Sequence, residues 1–141
     1  MKKAYSLIEI LLVIALFSAV VVIGIPLSQT ALTGSEIDTA YEVGLKSMRS
    51  AQALAQGGFE DSTWGVRFQS PNIIMFKGSD YAIRDTSYDV KTVIGSKVSF
   101  SGVGEIYFSK IEGAPSTTGT INIYSLEKSR VIQINSNGLM Y

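Results

Sequence analysis

Residues Ile10 to Leu27, ILLVIALFSAVVVIGIPL, run for eighteen positions without a charge. As a helix rising 1.5 Å per residue the stretch reaches roughly 27 Å, close to the ~30 Å hydrocarbon thickness of a bilayer. Lys2 and Lys3 stand before it, and a single carboxylate, Glu9, sits at its leading edge inside the apolar pattern. The chain after Leu27 is more polar, so this stretch decides where the protein resides and how it assembles.

Three readings compete for it. A secretory signal peptide begins with positive charge and an apolar core, but such cores are about 7–15 residues long. The run here is longer, and Glu9 stands where the core would begin. A plain signal anchor fits the length, and its lysines would stay in the cytoplasm under the positive-inside rule. That reading leaves Glu9 unexplained. A carboxylate at membrane depth costs about 2.5–3.5 kcal/mol on insertion scales, so Glu9 implies a function and a partner.

The third reading explains the glutamate. Met1–Ile10, MKKAYSLIEI, resembles the N-terminus of type IV prepilins and type II secretion pseudopilins. The resemblance implies a basic leader, Met1–Ala4, removed by a prepilin peptidase between Ala4 and Tyr5. It implies N-methylation of Tyr5 and places Glu9 fifth in the mature chain, inside Ser6-Leu7-Ile8-Glu9. Pro26 falls where pilins carry a proline that makes the helix irregular. Ala4 stands where glycine is usual in the family, and Tyr5 where Phe or Met is commoner.

The 141 residues allow one modest domain besides such an anchor. Twelve basic and twelve acidic residues give a net charge of zero, and loss of Lys2 and Lys3 would leave −2. That balance gives no general attraction to nucleic acid or anionic lipid. With no cysteine there are no disulfides, thiolate nucleophiles or thiolate zinc sites. With no histidine there is no Ser-His-Asp or Cys-His catalysis and no imidazole metal site. No paired carboxylates stand out. The expectation is a protein that is not an enzyme and uses no metal or other cofactor.

Residues 28–57 read as a continuing helix. Ile37, Tyr41, Leu45, Met48, Ala51 and Ala55 form one apolar stripe at helical period, the face that rests on a domain. Thr33-Gly34-Ser35 is its weak point, Pro26 a second irregularity, and Gly57-Gly58 its end. From residue 58 the pattern turns to strands. Trp64–Gln69 and Asn72–Lys77 flank Ser70-Pro71 as a hairpin. Tyr81–Arg84 is a short strand candidate, and Lys91–Ile94 and Lys97–Phe100 form a second hairpin about Gly95-Ser96. Glu105–Ser109 follows, and Thr120–Leu126 and Arg130–Ile134 form a third hairpin about Glu127-Lys128-Ser129. Short, regularly spaced strands point to an antiparallel sheet or sandwich.

This half carries a second resemblance. Leu45–Leu54, LKSMRSAQAL, Trp64–Phe68 and Arg130–Ile134 with Asn137-Gly138-Leu139 are similar, in that order, to segments of the GspH/FimT group of minor pilins and pseudopilins. The two resemblances together imply an α+β, pilin-like fold, with a long N-terminal helix (transmembrane half plus amphipathic half) packed on an antiparallel β domain. The segments are leader 1–4, transmembrane and assembly helix 5–27, amphipathic helix 28–57 and β domain 58–141. The implied function is a structural subunit, a minor pilin or pseudopilin, inserted in the inner membrane with its N-terminus cytoplasmic and its domain periplasmic or extracellular. Its partners would be other pilin subunits, the prepilin peptidase and the inner-membrane assembly platform. Glu9 would pair with the α-amine of a neighbouring subunit's first residue.

Other residues have plainer explanations beside functional ones. Trp64 is a binding anchor or, more commonly, a half-buried sheet aromatic. Asp80, Asp85 and Asp89 suit Ca²⁺ in type but match no standard loop spacing. Arg49, Arg67, Arg84 and Arg130 would line the surface of a DNA-binding minor pilin, the alternative reading. Interspersed acidic residues and a tail, 134–141, without a basic residue argue against it.

Overall fold

The computed structural model describes residues 7–126 and 128–141, with side chains inside the first helix described for 7–19 and 35–56. The chain divides into two compact units, Met1–Leu32 and Thr33–Tyr141. Helix α1, Leu7–Gln56, contributes to both.

In the second unit, α1 buries Ile37, Ala40, Leu45, Met48, Ala51 and Ala55. Ala40 replaces Tyr41 in the innermost row, and Tyr41 packs at its margin. Small residues bring the backbone close to the sheets. A Cβ on Gly44 would lie 3.0 Å from Phe68 Cε1 and 3.3 Å from Ile132 Cδ1. The helix stops where Gly57 N donates to the Ala53 carbonyl at 2.9 Å and Gly58 takes a left-handed φ of 63°. Glycine adopts that conformation without the Cβ penalty of other residues.

Seven strands follow: β1 Trp64–Gln69, β2 Asn72–Lys77, β3 Asp85–Val93, β4 Ser99–Gly102, β5 Glu105–Phe108, β6 Gly119–Tyr124 and β7 Ser129–Ile134. They make two antiparallel sheets, ordered β3-β2-β1-β5 and β4-β6-β7. The turn at Ser70-Pro71, with a cis peptide, joins β1 to β2, pairing Trp64 with Lys77 through Gln69 with Asn72. Residue alternation sends Trp64, Val66, Phe68 and Ile73 into one core with α1, and Ile106, Phe108, Ile121, Ile123, Ile132 and Ile134 join it from β5, β6 and β7. Ile74 and Phe76 are buried outside that core. Phe76 meets the ring of Tyr81 edge-on at 5.5 Å.

Two local expectations change. Tyr81–Ile83 is a 3-10 turn, not a strand, started by Asp80 accepting from Ala82 N at 2.7 Å. The expected hairpin about Gly95-Ser96 does not form, because β3 and β4 lie in different sheets. There Ile94 N donates to the Pro71 carbonyl at 2.8 Å. The C-terminal segment returns to β7, where Gln133 N donates to the Tyr141 carbonyl at 2.8 Å.

A larger correction concerns the pilin-like fold expected with a transmembrane half. Among the described residues, no helix is long and apolar enough to cross a membrane. The side chains described in the apolar stretch, residues 7–19, cover only about 20 Å of helix axis at 1.5 Å per residue, against ~30 Å of hydrocarbon. Residues 20–27 of the expected span, with Pro26, and Thr33-Gly34 lie outside the described side chains. The single-pass topology and the inner-membrane placement rested on that span and fall with it. The architecture is a small α+β fold with two antiparallel sheets.

Gly65 shows how tightly the larger sheet is packed. A Cβ there would stand 2.5 Å from Phe76 Cζ and 2.9 Å from the Ile106 carbonyl oxygen. Gly65→Ala is expected to lower stability by about 1–3 kcal/mol through overpacking. Gly104, with nothing within 4 Å of its Cβ position, is the control and should tolerate alanine within about 0.5 kcal/mol. Urea denaturation of both variants checks the difference.

Candidate assembly surface

The described part of α1 before Ala19 is apolar and open. Leu7, Ile8, Leu12, Leu16 and Phe17 are each more than half exposed, with Leu7 at 77% and Phe17 at 70%. Glu9 lies in the first described turn. It shares a shallow surface depression with Ile10, Val13 and Ile14, its neighbours one turn along. Glu9 has no ion-pair partner among the described residues. Ser18, the polar residue next along the stretch, turns its hydroxyl inward and donates to the Ile14 carbonyl at 2.8 Å. What remains is a band of exposed hydrocarbon with one carboxylate at its edge. Such bands mark contact surfaces, because contiguous apolar area in water favours association.

Of the residues tied to processing and assembly by the sequence, Glu9 alone has a described side chain. Ala4 and Tyr5, the expected cleavage and methylation positions, lie outside the described residues, as does the side chain of Pro26. The structure therefore does not bring Glu9 and Tyr5 together or apart.

The rival sites resolve into ordinary structure. Trp64 is 3% exposed, donates from Nε1 to the Phe59 carbonyl at 3.1 Å and meets Tyr88 edge-on at 6.0 Å. It belongs to the core. Asp85 accepts from the Ser87 backbone and hydroxyl, Asp80 caps the 3-10 turn, and Asp89 is bound by Arg84 at 2.8 Å. Among the described residues no cluster of three or more carboxylates could hold a metal ion. Three of the four arginines proposed for DNA are ion-paired: Arg67 with Glu105, Arg84 with Asp89 and Arg130 with Asp38. Pairing leaves them little positive potential to offer a phosphate.

Two arrangements were not legible in the sequence. Arg84 lies 3.6 Å over the Tyr81 ring, and the Tyr81 backbone N–H donates to Glu105, so a polar cluster closes over Phe76. Asp38 on α1 accepts from Lys128 at 2.6 Å and from Arg130 at 3.0 Å, tying the helix to the β6–β7 end of the smaller sheet. These partners stand about ninety positions away in sequence, and no local pattern announces such a pairing.

Those contacts, Lys128 foremost and then Arg130, hold the Asp38 carboxyl below its ordinary value. A carboxylate whose folded pKa is depressed adds stability above its unfolded pKa and loses it as pH falls through the folded one. Wild type is therefore expected to be more stable than Asp38→Asn near pH 7, with the difference closing below about pH 4. Thermal unfolding of both proteins across that range checks it.

Compared with known proteins, the chain matches no family model, no characterised protein and no solved structure.

Proposed function

We propose that the chain is a structural subunit of a helical protein filament of the pilin or pseudopilin kind. The observation that carries this reading is the exposed apolar band of α1, Leu7 to Phe17, with Glu9 as its one charge.

In water this band is unfavourable by roughly 25 cal/mol for each Å² of apolar surface left open. Bundling with the same band on neighbouring copies removes that cost. Helices alone would slide against one another, since hydrocarbon contacts carry little register. A carboxylate that must find a cation when it is desolvated supplies the register. Removal of residues 1–4, ending at Ala4, would make the α-amine of Tyr5, methylated or not, the nearest cation of a neighbouring subunit. Pairing one end of a copy with Glu9 of the next is heterologous and does not close, so it generates a filament and not a ring. The partners are other subunits of that filament and the prepilin peptidase that processes the leader. The lack of histidine and cysteine supports a structural role over a catalytic one.

Glu9→Val is expected to leave the circular dichroism and melting of the domain unchanged and to abolish incorporation into filaments, scored by electron microscopy of sheared fractions. Incorporation of Glu9→Val at wild-type yield would refute the pairing. Intact mass with and without the peptidase reads processing separately: loss of Met1–Ala4 plus one methyl group is the expected result.

A further inference from the structure

Ten lysine and arginine side chains are described after residue 34, and six of them sit in ion pairs. Among the described residues, Lys46, Arg49, Lys91 and Lys97 have no such partner. Two of these four, Lys46 and Arg49, stand one turn apart on α1. Lys46 lines a groove of about 250 Å³ between α1 and the edge of the larger sheet. Arg49 lies three residues on along the same helix, whereas Lys91, between Val90 and Thr92 on the edge strand β3, falls on the opposite sheet face. The groove has an apolar floor of Val43, Met75 and Val90 and hydroxyls at Ser47, Ser50 and Thr92, with no carboxylate in its lining.

The β3 edge differs from those of β5 and β7. Residues beyond β5 cover its outer side, where Ser116 N donates to the Tyr107 carbonyl at 2.8 Å. The C-terminal segment covers β7 through Met140 and Tyr141. Strand β3 is the longest, nine residues, and pairs on one side with β2. Among the described residues no other strand meets its far side. Such an edge presents backbone N–H and C=O groups at every second residue to whatever lies alongside. An extended peptide satisfies them, and its alternate side chains then face the groove beside Val90 and Thr92.

From these features together we infer that β3 binds an extended acidic segment of another protein, which adds as a further strand and places a carboxylate at Lys46. Main-chain hydrogen bonds supply affinity along the edge. Lys46 selects acidic over basic side chains, and the apolar floor takes the hydrocarbon of the same residues. Duplex DNA suits the place less well, since Lys46 and Arg49 neutralise few phosphates and the groove floor is apolar.

The test uses the full chain, dispersed in a mild detergent, and a fluorescent heptapeptide of alternating valine and glutamate. Fluorescence anisotropy should show saturable binding, lost when lysine replaces glutamate in the peptide and about tenfold weaker in Lys46→Glu. N-methylating alternate backbone nitrogens of the peptide should abolish binding for one of the two possible sets and spare the other, because only one set faces β3. Ser50→Trp, which fills the groove, serves as the second variant if Lys46→Glu fails to fold by circular dichroism. Absence of saturable binding by the valine–glutamate peptide would overturn the proposal. Equal binding by both N-methylated sets, or no effect of a folded groove variant, would overturn it too. Duplex DNA binding through Lys46 with steep salt dependence, while the peptide stays unbound, would make the groove a nucleic-acid surface.

Discussion

The domain depends on how closely one face of α1 can approach two sheets at once. At Gly44 a side chain would meet Phe68 and Ile73 from the larger sheet and Ile132 from the smaller one, all within 3.7 Å of where a Cβ would stand. Along that face Ala40, Gly44, Ala51 and Ala55 are small, and the strands add their bulk to that of Ile37, Leu45 and Met48 from the helix. Dispersion forces fall steeply with distance, so a helix held away by larger side chains would forfeit much of the contact that joins the sheets. The two sheets, β3-β2-β1-β5 and β4-β6-β7, share a core because that face serves both.

The last turns of α1 then organise the loops by hydrogen bonding. Gln52 Nε2 donates to the Gly113 carbonyl at 3.0 Å and the Gly138 carbonyl at 3.3 Å. Both glycines have positive φ, 65° and 74°, and a Cβ on either would strike the Gln56 or Gln52 side chain. Two loops far apart in sequence are thereby pinned to one helix end by amide groups that no hydrophobic pattern would single out. Backbone carbonyls in partly buried loops need such donors, because unsatisfied ones are costly.

Outside the core, charges position segments more than they stabilise them. Exposed ion pairs contribute about 0–1 kcal/mol each. The Arg84–Asp89 pair is better shielded, with 14% and 5% of its side chains exposed, and it holds Arg84 over Tyr81 and so over Phe76. Ion pairs engage the basic residues around Glu105 and Asp38, and among the described residues leave Lys46, at the groove beside β3, without one.

The sequence by itself determined most of what depends on neighbours along the chain. The stripe from Ile37 to Ala55, the helix end at Gly57-Gly58, the β1–β2 turn at Ser70-Pro71 and the pairing of β6 with β7 follow from period and turn chemistry, which act over a few residues. The carboxylate Glu9 in an apolar band was likewise visible as composition. Only the tertiary structure decided that β3 and β4 part into different sheets and that Tyr81–Ile83 coils over Phe76 instead of extending. It alone paired Asp38 with Lys128 and Arg130, and showed no described helix able to span a membrane. Partners in those contacts lie tens of residues away, and their choice rests on which surfaces meet once the core has formed. Local pattern carries no term for that.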